Sequence, residues 1–366
     1  MDVEPSTSPG RIASLDQFRG YTVAAMMFVN FAGGLNAFHS TFRHHNTYCS
    51  YADTIMPQFF FAVGFSYRLT FLRRLATLGR RAASLAVVRR ALGLILLGFV
   101  LYHLDGRVKT WAELKDLGLG GFLTTAFRRE LCQTLVQIAL TSVWILPVVA
   151  ASAPTRVLYL IGGAILHLTL SWWFYLDYAW KTPVIDGGWL GILSWAIPML
   201  VGTLAYDAIA ARDLAGRARA SAVPSLLGWA AILMLAGYGL ASMLVLAPPP
   251  FTPPATSMAK VVDLWTMSQR TGSVSYMTFA AGFSLAVYAL FVAACDAFGA
   301  SLGVFRTFGT NALAAYIAPT LVEGAVRAYL PRDAPLWYAS AGTLLHLTIC
   351  WALIRYLEKN RIFLKL

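Results

Sequence analysis

Apolar runs of about 20 residues recur along this chain from one end to the other, and each is long enough to cross a bilayer core of ~30 Å. That recurrence limits the fold before any motif is read. Charged residues make up only 13% of the 366, and mean hydropathy is +0.62. A soluble chain of this length would divide into two or three domains. This one reads as an all-α polytopic membrane protein. The pattern predicts ten spans, at 20–38, 53–72, 85–104, 131–150, 157–176, 188–207, 225–247, 274–297, 303–327 and 336–356. They form one transmembrane domain over 20–356, between a short N-terminus (1–19) and a tail (357–366).

The net charge of +12 suggests nucleic acid only until its placement is considered. With a cytoplasmic N-terminus and an even number of spans, most of the 29 Lys and Arg, from Arg11 to Lys365, fall on the inner side. That is the bias membrane insertion imposes, so no nucleic-acid partner is expected and both termini are placed inside. Two outer loops are long. One carries "WAELKDLGLGGFLTTAFRRE" (111–130), which fits an interfacial helix. The other carries "APPPFTPP" (247–254), too rich in proline for a helix interior. The four cysteines are scattered and form no C-x-x-C pair, so neither a disulfide frame nor a metal site is indicated. No cleavable signal peptide precedes the first span, and no N-x-S/T sequon occurs, which favours a bacterial inner membrane.

The stretch "HHNTYCSYAD" (44–53) concentrates proton-exchanging groups at the outer mouth of the bundle, between two apolar segments. A neutral imidazole at His44 or His45 can take a proton from an attacking amine or hydroxyl, as acyl transfer requires. Two interfacial histidines in a polar loop would look the same. Zinc held by His39, His44, His45 and Cys49 is a third reading, without regular ligand spacing. Asp53 begins a helix, where a carboxylate caps free N–H groups, or it orients a histidine. Asn30, in an apolar run before Gly33 and Gly34, is either a helix–helix hydrogen-bond residue or a donor to a reacting carbonyl.

Arg73, Arg74, Arg80 and Arg81, with Arg89 and Arg90, fill the inner loop 73–90. Guanidiniums suit the phosphates of a nucleotide cofactor; they equally suit the inside bias and anionic membrane lipid. Ser275, Tyr276 and Asn311 stand at span entrances, where they can line a cavity or pin helices together.

"SLDQFRGYTVAAMMFVNFAGG", the histidine-bearing loop and "YADTIMPQFFFAVGFS" together resemble the start of the heparan-α-glucosaminide N-acetyltransferase family. The shared order is L-D-x-x-R-G, an Asn late in the first span, a His in the next outer loop, then A-D-x-x-x-P and an aromatic run ending in Gly. "RELCQTLVQIAL", "GSVSY" and "GTNALAAY" are similar to its later segments. The resemblance implies a transmembrane enzyme that takes an acetyl group from cytosolic acetyl-CoA. It passes the group to an amino sugar or glycan on the far side, with no metal. It also implies that His44 or His45 is the functional histidine, with His44 preferred, that Asn30 and Asp53 stand beside it, and that the protein forms a homodimer. "TYCSY" replaces the family's W-N-G after the histidine, and no long lumenal portion precedes the first span. The expected acceptor is therefore an envelope glycan or periplasmic amino sugar.

Two rivals remain. A transporter or flippase of lipid-linked sugars also fits ten spans with polar groups among them, and predicts paired discontinuous helices. A polysaccharide O-acyltransferase predicts R-x-x-x-F-x-x-x-H in the first span, and the run after Arg19, "GYTVAAMMFVN", lacks it.

Overall fold

The computed structural model describes residues 12–104, 108–127, 131–182, 184–254 and 262–364. Arg11 and Lys365, counted on the inner side, lie outside the described residues, as do the outermost parts of both tails and 128–130 of the first long outer loop. Helix accounts for 74% of the structure, and no strand occurs among the described residues. The helices, in order, are α1 Ala13–Ala32, α2 Tyr51–His103, α3 Trp111–Ala126, α4 Thr134–Ile145, α5 Ala153–Leu170 and α6 Leu176–Lys181. They continue with α7 Gly191–Leu214, α8 Val223–Ala241, α9 Val274–Val292, α10 Gly303–Thr310, α11 Ala312–Arg327 and α12 Leu336–Lys359.

Among the described residues, six helical stretches are long and apolar enough to cross a membrane: Tyr51–His103, Ala153–Lys181, Gly191–Leu214, Arg219–Ala241, Val274–Ala297 and Leu336–Lys359. Their outward faces carry exposed Leu158, Trp172, Trp173, Leu235 and Leu345. A surface of that kind is at home in lipid and not in water, which marks the chain as an all-α integral membrane protein.

The expected segment limits need correction in four places, each for a local reason. The first helix starts at Ala13, not residue 20, because its polar turns have partners. Ser14 Oγ donates to Asp296 (2.9 Å), and Gln17 bonds both the carbonyl (3.2 Å) and the N–H (3.0 Å) of Leu302. The span expected at 131–150 is the twelve-residue α4, which stops two residues before Pro147. The span expected at 303–327 is two helices, since at Asn311 the backbone leaves the helix (φ −129°, ψ 49°). The inner loop 73–90 is not a loop. Strong helix formers carry α2 through it, and the only interruption is Gly79 at φ 78°, a left-handed geometry that suits glycine. The helix expected in the first long outer loop is present as α3, capped by Thr110 (Oγ1 accepting from Glu113 N–H, 3.2 Å). The segment 247–254 is free of helix, as its prolines require.

The chain forms two compact units. The first takes in the described residues of Met1–Phe42, Ala208–Gly228 and Ala286–Lys365. There α1 packs on α10 backbone to backbone: Gly20 lies against the Phe305 carbonyl and Gly309 against that of Asp16, with no room for a Cβ at either. The second comprises Arg43–Asp207 and Trp229–Leu285. Its core is aromatic, with the Phe60 ring stacked on Trp195 at 4.4 Å and Phe61, Phe65 and Tyr276 fully buried. α2 and α7 touch at Gly64, under the Met199 carbonyl, and at Gly202, under that of Phe61. Small residues let helix backbones approach this closely in lipid. The contact fixes the start of α2 against the loop that leads into α7.

Candidate active site

The site is built at the N-terminus of α2, in the second unit. Ser50 is the N-cap (φ −83°, ψ 172°), and its Oγ accepts the Asp53 N–H at 3.2 Å. The Asp53 carboxylate reaches back to the Ser50 N–H at 3.0 Å, closing a capping box. This is the capping role expected of Asp53, but the carboxylate does more. It is 1% exposed, and Oδ1 also lies 2.9 Å from His44 Nδ1 and 3.3 Å from the His45 N–H. A carboxylate only accepts, so Nδ1 carries the proton. The neutral ring is thereby left with a bare lone pair on Nε2. One buried side chain both starts the helix and sets the tautomer of the histidine.

Behind Asp53 stands an unusual support. Pro57 lies four residues on, inside α2, and has no N–H to give the Asp53 carbonyl. The Tyr276 hydroxyl supplies the missing donor, at 2.6 Å. The proline thus frees the carbonyl that Tyr276 grips. The loop itself is pinned by Phe251, whose N–H donates to the Cys49 carbonyl at 2.8 Å.

A second loop faces the histidine. Asp186, Gly187 and Gly188 all have positive φ (55°, 76° and 51°). For an aspartate that backbone is uncommon and strained, and it persists where the surroundings over-determine it. Here they do. The Asp186 carbonyl accepts from Trp195 Nε1 (2.7 Å) and Gln137 Nε2 (3.1 Å), and the Gly187 carbonyl from the Tyr175 hydroxyl (2.6 Å). The Asp186 side chain is 4% exposed. It accepts from Gln269 Nε2 at 2.7 Å and from Thr134 Oγ1 at 3.3 Å.

Between the two loops lies an open cleft of about 540 Å³, lined by His44, Asn46, Gln133, Thr134, Val184, Ile185, Asp186, Gln269 and Arg270. Arg270 holds the end of α6, donating to the carbonyls of Ala179 (2.9 Å), Trp180 (3.1 Å) and Thr182 (2.7 Å). The His44 side chain is 52% exposed, with Nδ1 on the buried carboxylate. Enclosure of the ring works to lower its pKa. The bond and charge of Asp53 outweigh it, aided by Asp186 and Gln269, and hold it above 6.5. Burial raises the Asp186 carboxyl above its ordinary value, against the opposing pull of Gln269, His44 and Thr134. Burial, and then the Asp53 charge, push the Cys49 thiol up, so it offers no thiolate.

The sequence-derived residues distribute unevenly over this geometry. His44 and Asp53 come together, whereas His45 contributes its main-chain N–H and turns its ring onto Tyr48 at 4.5 Å. Tyr276 lies against Asp53 from behind. Ser275, buried beside it, bonds the Trp265 carbonyl at 2.8 Å. Asn30 belongs to the first unit; its side chain is exposed, and the Arg327 guanidinium donates to its carbonyl at 3.4 Å. Asn311, also in the first unit, bonds the Ile362 carbonyl (2.9 Å) and the Leu364 N–H (3.1 Å). Arg73, Arg74, Arg80 and Arg81 are exposed around the Gly79 break. Asp53 and Arg73 stand twenty positions apart on one helix, roughly 30 Å. The arginines therefore do not converge with Ser275 and Tyr276 on one ligand. Of the four residues weighed for zinc, His39 Nδ1 takes the Thr41 N–H (3.2 Å) and Cys49 is fully buried with Sγ on the Ser50 carbonyl; among the described residues no group of His, Cys, Asp and Glu is placed to hold a metal ion. Sequence reasoning missed Asp186 and Gln269. The one signal for them was an aspartate directly before two glycines, in "VIDGGW".

Compared with known families and curated proteins, the chain matches no family model and no curated sequence.

Proposed function

We propose that this protein is a transmembrane acetyltransferase similar to the heparan-α-glucosaminide N-acetyltransferase family. It would move an acetyl group from cytosolic acetyl-CoA to an amino sugar or glycan on the outer side of a bacterial inner membrane. The observation that carries this reading is the His44 Nδ1–Asp53 Oδ1 pair at 2.9 Å on the wall of an open cleft. An imidazole fixed in that tautomer by a buried carboxylate is a general base, and the cleft gives an acceptor room beside it.

In the proposed reaction the acceptor nitrogen attacks the thioester carbonyl while His44 Nε2 takes its proton. The C–S bond then breaks, and the CoA thiolate leaves with that proton, giving an acetamide and free CoA. Asp53 holds the imidazole and stabilises the imidazolium. The amides and carboxyl of Gln133, Gln269 and Asp186 suit a ligand rich in hydroxyl and amino groups. Ten crossings with both termini inside are part of the same reading. In that arrangement the Gly79 break divides α2 into two passes, and the arginines beside it face the cytosolic nucleotide, roughly 30 Å from Asp53.

The test is release of CoA from acetyl-CoA by the purified protein, with and without a panel of amino sugars. Acceptor-stimulated release that is lost in His44→Ala and kept in His45→Ala is expected. Release that survives both substitutions would remove His44 from the chemistry. With no release and no acetyl-CoA binding, a sugar transporter becomes the better reading. Arg80→Glu with Arg81→Glu should raise the KM for acetyl-CoA; an unchanged KM would leave those arginines a role in topology alone.

A further inference from the structure

The imidazole of His44 is supported on its Nδ1 edge by Asp53, but a second carboxyl group, not needed for that support, has been brought to the cleft at the cost of a strained backbone. Asp186 sits at φ 55° with its side chain 4% exposed. Its fold-building work is done by its main chain, through the carbonyl bonds to Trp195 and Gln137. The side chain instead fixes Gln269, whose Nε2 donates to Oδ1 at 2.7 Å. A carboxylate accepts only, so this bond settles which end of the amide is which: Nε2 points to Asp186 and Oε1 points elsewhere. That oxygen is buried and closes no hydrogen bond of its own. A buried acceptor left open is costly unless something meets it at another stage. Gln269 and His44 line the same cleft, and Gln269 is near enough to the imidazole to favour its charged form.

We propose that Asp186, acting through Gln269, is a positioning residue that sets the base strength of His44. The carboxylate locks the amide so that Oε1 is ready for the proton-bearing imidazole, and its own charge favours that imidazolium across the cleft. Asp53 and the Asp186–Gln269 arm then act on the ring together. The arm matters when His44 carries the acceptor's proton and little when the ring is neutral. The proposal deepens the reading of His44 as a base, but it concerns the imidazole itself and can be read without turnover. The groups that bear on the ring are Asp53 from α2, Asp186 and Gln269 from the loops before α7 and α9, and Arg270 on the cleft wall. Arg270 lines the same cleft and is left in place throughout.

The experiment follows the ring resonances of His44 by NMR across pH. It uses the full chain in detergent, labelled at histidine, with His44 assigned by loss of its signal in His44→Ala. The variants are Asp186→Asn and Gln269→Met. Asparagine tolerates the left-handed backbone and still accepts from Gln269, so Asp186→Asn removes charge while keeping the loop. The midpoint of His44 should move to lower pH in both variants and return in Asp186→Glu. If acyl transfer is measurable, the acid limb of its pH profile should move the same way. An unmoved His44 midpoint in Asp186→Asn, with the helical circular dichroism of the parent, would reduce Asp186 to a structural residue. A shifted midpoint in a protein that releases no CoA would keep the arm and remove the acetyltransferase reading.

Discussion

Asp53 and Asp207 are both carboxylates of the second unit, each bound to basic side chains. One holds a partner that opens onto a cavity and the other is clamped between two guanidiniums. Asp53 binds a single imidazole that is half exposed, and that imidazole keeps one nitrogen for something else. Asp207 binds two guanidiniums. Arg68 Nε donates to Oδ1 at 2.6 Å and Arg156 Nη2 to Oδ2, while Arg156 is fully buried and bonds Thr203 at 2.7 Å. Arg68 also reaches the carbonyl of Val149 (2.5 Å) in the turn after α4. These bonds commit both carboxylate oxygens of Asp207 to tying α2, α5 and α7 together. Both clusters are expensive in an apolar protein. The lesson is that polarity does not distinguish a lock from a working group; the distinction lies in whether a polar atom is held with its reactive lone pair uncommitted.

The comparison breaks most readily at His44. His44→Ala should lower acyl transfer by about 10²–10⁴-fold, the usual contribution of a positioned base. Stability should change by less than about 1 kcal/mol, because the ring is half exposed and Asp53 keeps its bonds to Ser50 and to the His45 N–H. Turnover and thermal unfolding of the same detergent preparation check both halves. A large loss of stability with little loss of turnover would make His44 a lock as well.

Asp207→Asn is the converse. Removing one partner of a buried charge cluster strands the others, and about 3 kcal/mol of destabilisation is expected, reduced somewhat because Asp207 is itself partly exposed. Thermal unfolding reads it directly. Replacing all three members together, with Arg68→Met, Asp207→Leu and Arg156→Met, should recover part of the loss, since no charge is then left unpaired. If Asp207→Asn instead changes ligand affinity at unchanged stability, the clamped cluster is a site.

The pH dependence sharpens the contrast at a smaller scale. As a base His44 works when neutral, and its pKa lies above the ordinary 6.5. Activity should therefore rise with pH through a midpoint above that value, falling about tenfold for each unit below it. Asp53→Asn removes the largest of the influences that raise the pKa, so the midpoint should move to lower pH. It also weakens the hold on the tautomer, so the maximum rate should fall as well. A profile flat across neutrality would show that no group with the titration of His44 limits the reaction.

Parts of this site were legible in the sequence and parts were not, and range along the chain explains the difference. His44 and Asp53 are nine positions apart, and a serine three residues before an aspartate is a local helix-start signal, so the dyad could be proposed from one short stretch. The apolar runs were equally legible, because each is continuous. Asp186 depends on Gln269, 83 positions away, and Thr134, 52 positions away, and nothing local marks those pairings. The start of α1 was misplaced for the same reason: Ser14 and Gln17 look like loop residues until Asp296 and Leu302 supply their partners. Gly79 misled in another way. Six arginines in a row of short apolar gaps read as a loop, whereas arginine, leucine and alanine are strong helix formers and only the glycine interrupts.

The smallest effect tests the support behind Asp53, where open and clamped chemistry meet. The Tyr276 hydroxyl is bonded to the carbonyl that Pro57 leaves without a helical donor. Tyr276→Phe should cost about 1 kcal/mol, the net worth of one hydrogen bond, plus whatever the bare carbonyl loses by burial. Pro57→Ala restores an N–H that can close the helical bond to Asp53, so in that background Tyr276→Phe should cost less. The two substitutions must then be non-additive, with a coupling of about 0.5–1 kcal/mol in a double-mutant cycle read by thermal unfolding. Strict additivity would mean that the phenol and the proline act independently, and that the carbonyl is satisfied some other way. Turnover in the same four proteins supplies the second axis. If Pro57→Ala with Tyr276→Phe unfolds like the parent yet turns over more slowly, the bond that Tyr276 makes in place of the missing Pro57 N–H serves the aim of the carboxylate at His44, not the stability of the helix. Equal turnover would make the proline and the phenol a matched pair of structural parts, and would leave the orientation of Asp53 to its capping box with Ser50.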